Sequence, residues 1–193
     1  MSRTKKPKLM MHGHSDEMHT PKVALHPLLP FLKNNWRVWE CAWGKGALAQ
    51  YLSEDGFEVI GKPEVDFLAQ VISNYYDCIV TNPPYSKKDE FLKRCYEMNK
   101  PFALLLPLTA LEGRRRGVLY RKYGIQLIIP NKRINFVTPS GKGSGSWFQV
   151  AWFTWGLNLP KDLMFVDLEQ FSKEELSKKI DETLKLKKKE EGA

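Results

Sequence analysis

The chain has 193 residues, 42% of them hydrophobic, with six Trp and ten Phe, enough for one domain with apolar layers on both faces of a sheet and too much for a disordered chain. Thirty Lys and Arg against 22 Asp and Glu leave a net charge of +8, which favours a polyanion, nucleic acid first, through counterion release and steering. No apolar stretch is long enough to span a bilayer and none follows the basic start, so no membrane role is expected. Cys41, Cys78 and Cys95 are odd in number and lack paired spacing, which reads as reduced thiols in a cytosol-like compartment and argues against a metal site.

Residues 1–18 carry Arg3, Lys5, Lys6, Lys8 and His12-Gly13-His14 without periodicity. They read as a flexible basic arm, either touching phosphates or simply disordered. A short helix is expected from Pro21 through Leu25, Leu28, Leu29 and Leu32. Strands follow at 37–40, 57–60, 76–80 and 102–106, with helices at 47–53 and 88–98 between them. Alternating strands and helices predict an α/β fold with a mostly parallel, doubly wound sheet. Segments 126–129 and 148–155 flank a Gly- and Ser-rich loop, 139–146, and are expected to pair as an antiparallel hairpin at one sheet edge. That loop, with Lys142, is a candidate lid. Ser172 and Glu175 form a capping box before a helix with Leu176, Ile180 and Leu184 on one stripe, and a charged tail follows. The expected organisation is an arm at 1–18, one domain at 19–171 and a charged C-terminal helix at 172–193.

Asn82-Pro83-Pro84-Tyr85 stands directly behind the apolar run 78–81. Two prolines stiffen this loop and remove two backbone donors, leaving carbonyl oxygens beside the Asn82 amide and the Tyr85 ring. Such a loop suits a flat, amino-bearing group. Asn82 and the Pro83 carbonyl can accept from an exocyclic amine while Tyr85 stacks on its ring, and adenine fits that description. The plain alternative is a rigid turn with a buried tyrosine.

Earlier, Glu40-Cys41-Ala42-Trp43-Gly44-Lys45-Gly46 links the first strand to a helix, and Gly44 and Gly46 allow close backbone approach to a ligand. No Gly-Lys-Ser/Thr ending marks a phosphate loop. Glu40 suits a ligand that presents a cation, such as the ammonium and sulfonium of S-adenosylmethionine. Equally, the glycines can serve a tight turn and Glu40 can pair with a lysine.

Taken together, these elements resemble those of the S-adenosylmethionine-dependent adenine-N6 DNA methyltransferases of the small bacterial or phage kind. The resemblance covers roughly residues 19–156 in the family's order. It implies a Rossmann-like class I methyltransferase fold and the cytoplasm of a bacterium or phage-infected cell. By this resemblance Thr20, Pro21, Glu40, Gly44, Gly46, Asp66 and Phe67 contact the cofactor, and Asn82, Pro83 and Tyr85 are catalytic. Pro84 and Phe136 would face the flipped base, with hairpin packing the other role for Phe136. Thr20 also reads as a helix N-cap and Asp66 as the cap of a helix that follows it. Arg114, Arg115 and Arg116 with Arg121 and Lys122, and Lys132 with Arg133, form basic clusters expected on the side where the catalytic loop opens. A solvated helix face explains the first cluster equally well.

The chain departs from that family by carrying Lys62-Pro63 where an acid usually grips the ribose, with Glu64 nearby, and by lacking a long inserted recognition domain. The expected partner is nucleic acid, double-stranded DNA first, with no metal. RNA adenine and a protein glutamine are alternative acceptors of the same loop. A catalytically inactive nucleic-acid-binding protein is the alternative of another class. Target sequence, oligomeric state and any restriction partner are not legible in these residues.

Overall fold

A computed structural model describes residues 19–69, 75–136 and 148–168. Its seven strands are β1 (Arg37–Trp39), β2 (Glu58–Ile60), β3 (Cys78–Thr81), β4 (Phe102–Pro107), β5 (Gln126–Pro130), β6 (Val150–Trp155) and β7 (Leu163–Val166). They form one sheet in the order β2-β1-β3-β4-β6-β5-β7. Three helices connect them: α1 (Ala47–Glu54), α2 (Lys88–Met98) and α3 (Arg114–Tyr123).

Residue alternation explains how both faces are buried. Val38, Cys78, Val80, Ala103, Leu105 and Trp152 point to one side, against α1 and the N-terminal segment. Trp39, Ile79, Phe102, Leu104, Leu106 and Phe153 point to the other, against Phe91, Leu92, Cys95 and Tyr96 of α2. This is the period of two of a β-strand. β3 and β4 are buried at every residue, as a covered parallel sheet requires, which is why their sequences are continuous apolar runs.

Strand direction decides where a site can form. β1 pairs in parallel with β2 and β3, β3 with β4, and β5 with β7, while β6 is antiparallel to both β4 and β5. Every strand but β6 therefore points the same way. Residues after β1, β3, β4 and β5 collect at one edge of the sheet. From β1 the chain passes to β2 on one side, then returns to β3 on the other, so the order reverses between β1 and β3. Such a switch point opens a crevice at the strands' carboxyl ends. The architecture is a Rossmann-like α/β fold with one antiparallel strand inserted.

Two details differ from the expectations raised by the sequence. The segment expected as a helix from Pro21 is two 3₁₀ turns, Lys22–Ala24 and Leu29–Phe31, because Pro27 and Pro30 remove the N–H groups a continuous helix needs. Trp152 Nε1 pins the first turn by donating to the Ala24 carbonyl at 2.7 Å. The antiparallel pair of β5 and β6 forms, but β7 lies outside it, so the pair is one strand in from the edge. The expected arm at 1–18, the Gly- and Ser-rich loop with Lys142, and the C-terminal helix at 172–193 lie outside the described residues. No described helix is long and apolar enough to cross a membrane, and no metal-ligating cluster occurs among the described residues.

Candidate active site

The crevice at the switch point is lined by Thr20, Glu40, Gly44, Ala47 and Asn82, with His19, Trp43 and Lys45 at its sides. Its empty space, open solvent included, is ≈ 300 Å³. The end of β1, the start of α1, the end of β3 and the N-terminal segment all meet here.

Glu40 sits at the tip of β1, 2% exposed, and its backbone N–H still bonds to Ile60 of β2 at 3.0 Å. Its Oε1 accepts from the Ala42 backbone N–H at 2.9 Å and from the Thr81 hydroxyl. Burial penalises the charged form and pushes the carboxyl up to about 7, against the two hydrogen bonds that favour ionisation. An acid poised there in a cleft changes charge readily when a cation approaches. The alternative of an ion pair with a lysine is not what the structure shows: both donors are neutral.

The glycine turn is shaped by a tryptophan. Gly44 and Gly46 have φ of +52° and +79°, a left-handed conformation that glycine adopts without steric cost. The Gly46 N–H closes the turn on the Trp43 carbonyl at 2.8 Å. A Cβ on Gly46 would lie 2.9 Å from Trp43 Nε1, and one on Gly61 would lie 2.2 Å from the Glu40 carbonyl oxygen and 2.9 Å from the Trp43 ring. Trp43 thus packs over two glycines from different loops. Gly61, at φ +141°, was not assigned a role from sequence; its signal was a glycine directly after β2.

β3 delivers Asn82. Thr81, fully buried, ties the strand end to Glu40, and the next residue reaches across the crevice: Asn82 Nδ2 donates to Thr20 Oγ1 at 3.0 Å. Asn82 Oδ1 is buried and has no hydrogen-bond partner among the described residues. A buried acceptor left open is costly unless something supplies a donor. Thr20 is not a helix N-cap: the first 3₁₀ turn is entered from Pro21 with no side-chain cap bond, and the Thr20 hydroxyl holds an amide 62 positions away.

Pro83 is buried and Pro84 half-buried, and the Pro84 carbonyl accepts from the Lys87 N–H at 2.9 Å, turning the loop into α2. Asp89 and Glu90 in the first turn of α2 complement its dipole. The Tyr85 ring is half-buried, meeting Phe148 edge-on with centroids 5.7 Å apart, and the Tyr85 carbonyl accepts from Lys88 Nζ at 3.1 Å.

Other expected contacts lie elsewhere. Phe67, 1% exposed, is a core residue between Trp39 and Phe91 and does not line the crevice. Asp66 is exposed, and its Oδ1 accepts from the Leu68 N–H at 2.9 Å, capping a turn. Phe136 is 1% exposed and packs in the core on the α1 side. Both aromatics are buried among apolar neighbours, which a motif match does not report.

The basic clusters separate. Lys45, Arg114, Arg115, Lys132 and Arg133 are exposed and follow β1, β4 and β5, at the crevice edge. Arg116 instead anchors α3, its guanidinium bonding to Asp89 and, through Nε, to the Ala110 carbonyl at 2.7 Å. Arg121 and Lys122 occupy the last turn of α3. The adjacent Tyr123 carbonyl accepts from Trp155 Nε1 at 2.8 Å, and Trp155 pairs with Phe102 at the start of β4. These two cations therefore belong to the opposite edge, a correction to the single cluster expected from sequence. A helix of ten residues carries its two ends to opposite sheet edges. The three cysteines are free and buried, and burial pushes the Cys78 thiol up to about 12 and raises Cys41 and Cys95 as well, so none is a poised nucleophile.

No protein-family model matches this chain and no curated protein matches it. Among solved structures, it is similar to the 23S rRNA methyltransferase ErmE (TM-score 0.46, 15% identity, covering 70% of this chain and 68% of that one). It is also similar to a dimethyladenosine transferase from Plasmodium falciparum (TM-score 0.43, 13% identity, 71% and 62%). A third is a predicted O-methyltransferase, protein Atu636, from Agrobacterium tumefaciens (TM-score 0.38, 11% identity, 74% and 84%). This chain spans less than two thirds of the Plasmodium falciparum protein.

Proposed function

We propose that this protein is an S-adenosylmethionine-dependent methyltransferase acting on the N6 amine of adenine in nucleic acid, with duplex DNA as the acceptor. The observation that carries this reading is Asn82 Oδ1, a buried acceptor without a partner among the described residues at the mouth of a rigid diproline loop, one residue from the buried acid network of Glu40 and Thr81.

The crevice fits that cofactor chemically: Glu40 offers a carboxylate to an ammonium, and Gly44 offers an open backbone, whereas Gly46, covered by Trp43, does not line it. When bound, the cofactor supplies an electrophilic methyl group whose departure from sulfur neutralises a positive charge. The protein's task is then alignment rather than acid–base chemistry. Asn82 Oδ1 and the Pro83 carbonyl accept the amine hydrogens and draw the nitrogen's lone pair out of conjugation; as the N–CH3 bond forms and the S–CH3 bond breaks, the nitrogen sheds one of those protons to solvent. Tyr85 stacks on the ring. A paired base reaches this loop only after leaving the duplex, at a cost of a few kcal/mol that stacking partly offsets. Arg114 and Arg115 at the start of α3, and Lys132 and Arg133 after β5, contact phosphates beside the target along the same edge.

The test is transfer of isotopically labelled methyl from S-adenosylmethionine to duplex DNA and, in parallel, to structured RNA, followed by mass spectrometry of the nucleosides. N6-methyladenine in DNA that disappears with Asn82→Ala, a fall of at least about 10²-fold, supports the proposal. Product in RNA alone changes the acceptor and keeps the chemistry. Salt-sensitive nucleic-acid binding without cofactor binding at millimolar concentration supports instead a non-catalytic binding protein.

A further inference from the structure

We infer that Thr20 is a positioning residue for Asn82: its hydroxyl holds one end of the carboxamide and thereby fixes the other, Oδ1 in this structure, toward the substrate amine. This inference rests on the proposed catalytic role of Asn82 and assigns Thr20 a role different from the cofactor contact that resemblance implies.

A carboxamide is nearly symmetric in shape and opposite in polarity at its two ends. Turned by 180° about its last bond, Asn82 would offer two N–H groups to an amine that also needs to donate, and the acceptor role would be lost. A hydroxyl can accept from Nδ2 or donate to Oδ1, so what a bond to it fixes is the placement of the carboxamide, here with Oδ1 left open. Among the described residues, the partner of Nδ2 is Thr20 Oγ1 at 3.0 Å, while Oδ1 has no partner. Thr20 is itself 5% exposed, so water does not readily replace it. Its position is fixed independently of the crevice: the following turn is held by the bond from the Ala24 N–H to the Pro21 carbonyl at 3.0 Å and by Trp152 on the Ala24 carbonyl. Ala24 is fully buried in the core. The N-terminal segment therefore acts as a stationary post against which the loop after β3 is oriented. Holding the reacting group within a narrow range of geometry is where such a bond contributes to rate, since small misplacements cost up to about 10²-fold.

Thr20→Val keeps the shape and deletes the hydroxyl; Thr20→Ser keeps the hydroxyl. In the full-length protein, Thr20→Val is expected to lower kcat for methyl transfer roughly 10- to 100-fold while the Kd for S-adenosylmethionine, measured by calorimetry, stays within about threefold, and Thr20→Ser is expected to restore most of kcat. A second readout does not depend on turnover. The Asn82 side-chain ¹⁵NH₂ resonances, assigned by their loss in Asn82→Asp, are expected to show slowed amide rotation and hydrogen exchange in the wild type and in Thr20→Ser but not in Thr20→Val. Parallel loss of cofactor affinity and kcat in Thr20→Val would make Thr20 a cofactor contact and overturn the inference, as would an unchanged kcat. If the wild type methylates no acceptor, the proposed function falls, and the Asn82 resonances alone then decide the inference: identical exchange in wild type and Thr20→Val overturns it.

Discussion

Replacing Glu40 with glutamine should abolish a pH dependence of stability that runs opposite to that of an ordinary carboxylate. In the folded protein the Glu40 carboxyl is pushed from 4.5 up to about 7 by burial, so between those values the native state keeps a proton that the unfolded chain releases. Stability therefore falls as pH rises through this window. At about 1.4 kcal/mol for each tenfold change in proton affinity, the accumulated cost above pH 7 is on the order of 3 kcal/mol. The side chain introduced by Glu40→Gln can still accept from the Ala42 N–H and the Thr81 hydroxyl through its amide oxygen, and it never ionises. Urea unfolding at pH 4, 6 and 8 is the assay. The two proteins should have similar unfolding free energies at pH 4, and Glu40→Gln should be more stable by up to about 3 kcal/mol at pH 8. Parallel pH profiles, or a variant destabilised equally at every pH, would refute the account of Glu40 as a buried acid near neutrality.

Gly61→Ala should be among the most damaging single-methyl additions in this protein, because the new Cβ would stand 2.2 Å from a backbone oxygen at the end of β1 at a left-handed φ. A loss of at least about 2 kcal/mol in chemical denaturation is expected, and a change under about 0.5 kcal/mol would show that the approach of the β1 and β2 ends tolerates a methyl group. Removing Arg114 and Arg115 together should weaken nucleic-acid binding evenly across sequences and flatten the plot of log Kd against log salt by roughly one unit for each phosphate no longer neutralised. Arg121→Ala, at the opposite sheet edge, should leave that slope unchanged. Fluorescence anisotropy over a salt range of roughly 50 to 200 mM distinguishes these outcomes.

The alternation of apolar strands and helices, and the two strand-end loops at Glu40–Gly46 and Asn82–Tyr85, were legible from residue order alone, because strand and helix periods and the stereochemistry of Gly and Pro are local properties. The same local rules placed the crevice at the strands' carboxyl edge once the sheet was expected to be parallel. Everything that required two distant segments to meet was settled only in three dimensions. Thr20 read equally as a cap, and its bond to Asn82 exists because the N-terminal turns pack on Trp152. Phe67 and Phe136 stood in motif positions but are drawn into the core by the apolar surfaces around them, a cooperative effect with no period in the sequence. Arg116 and Arg121 looked alike until the direction of α3 assigned one to an ion pair with Asp89 and the other to the far edge. Residue type sets which chemistry is possible at a position, whereas partner, burial and charge state depend on which surfaces the folded chain brings together.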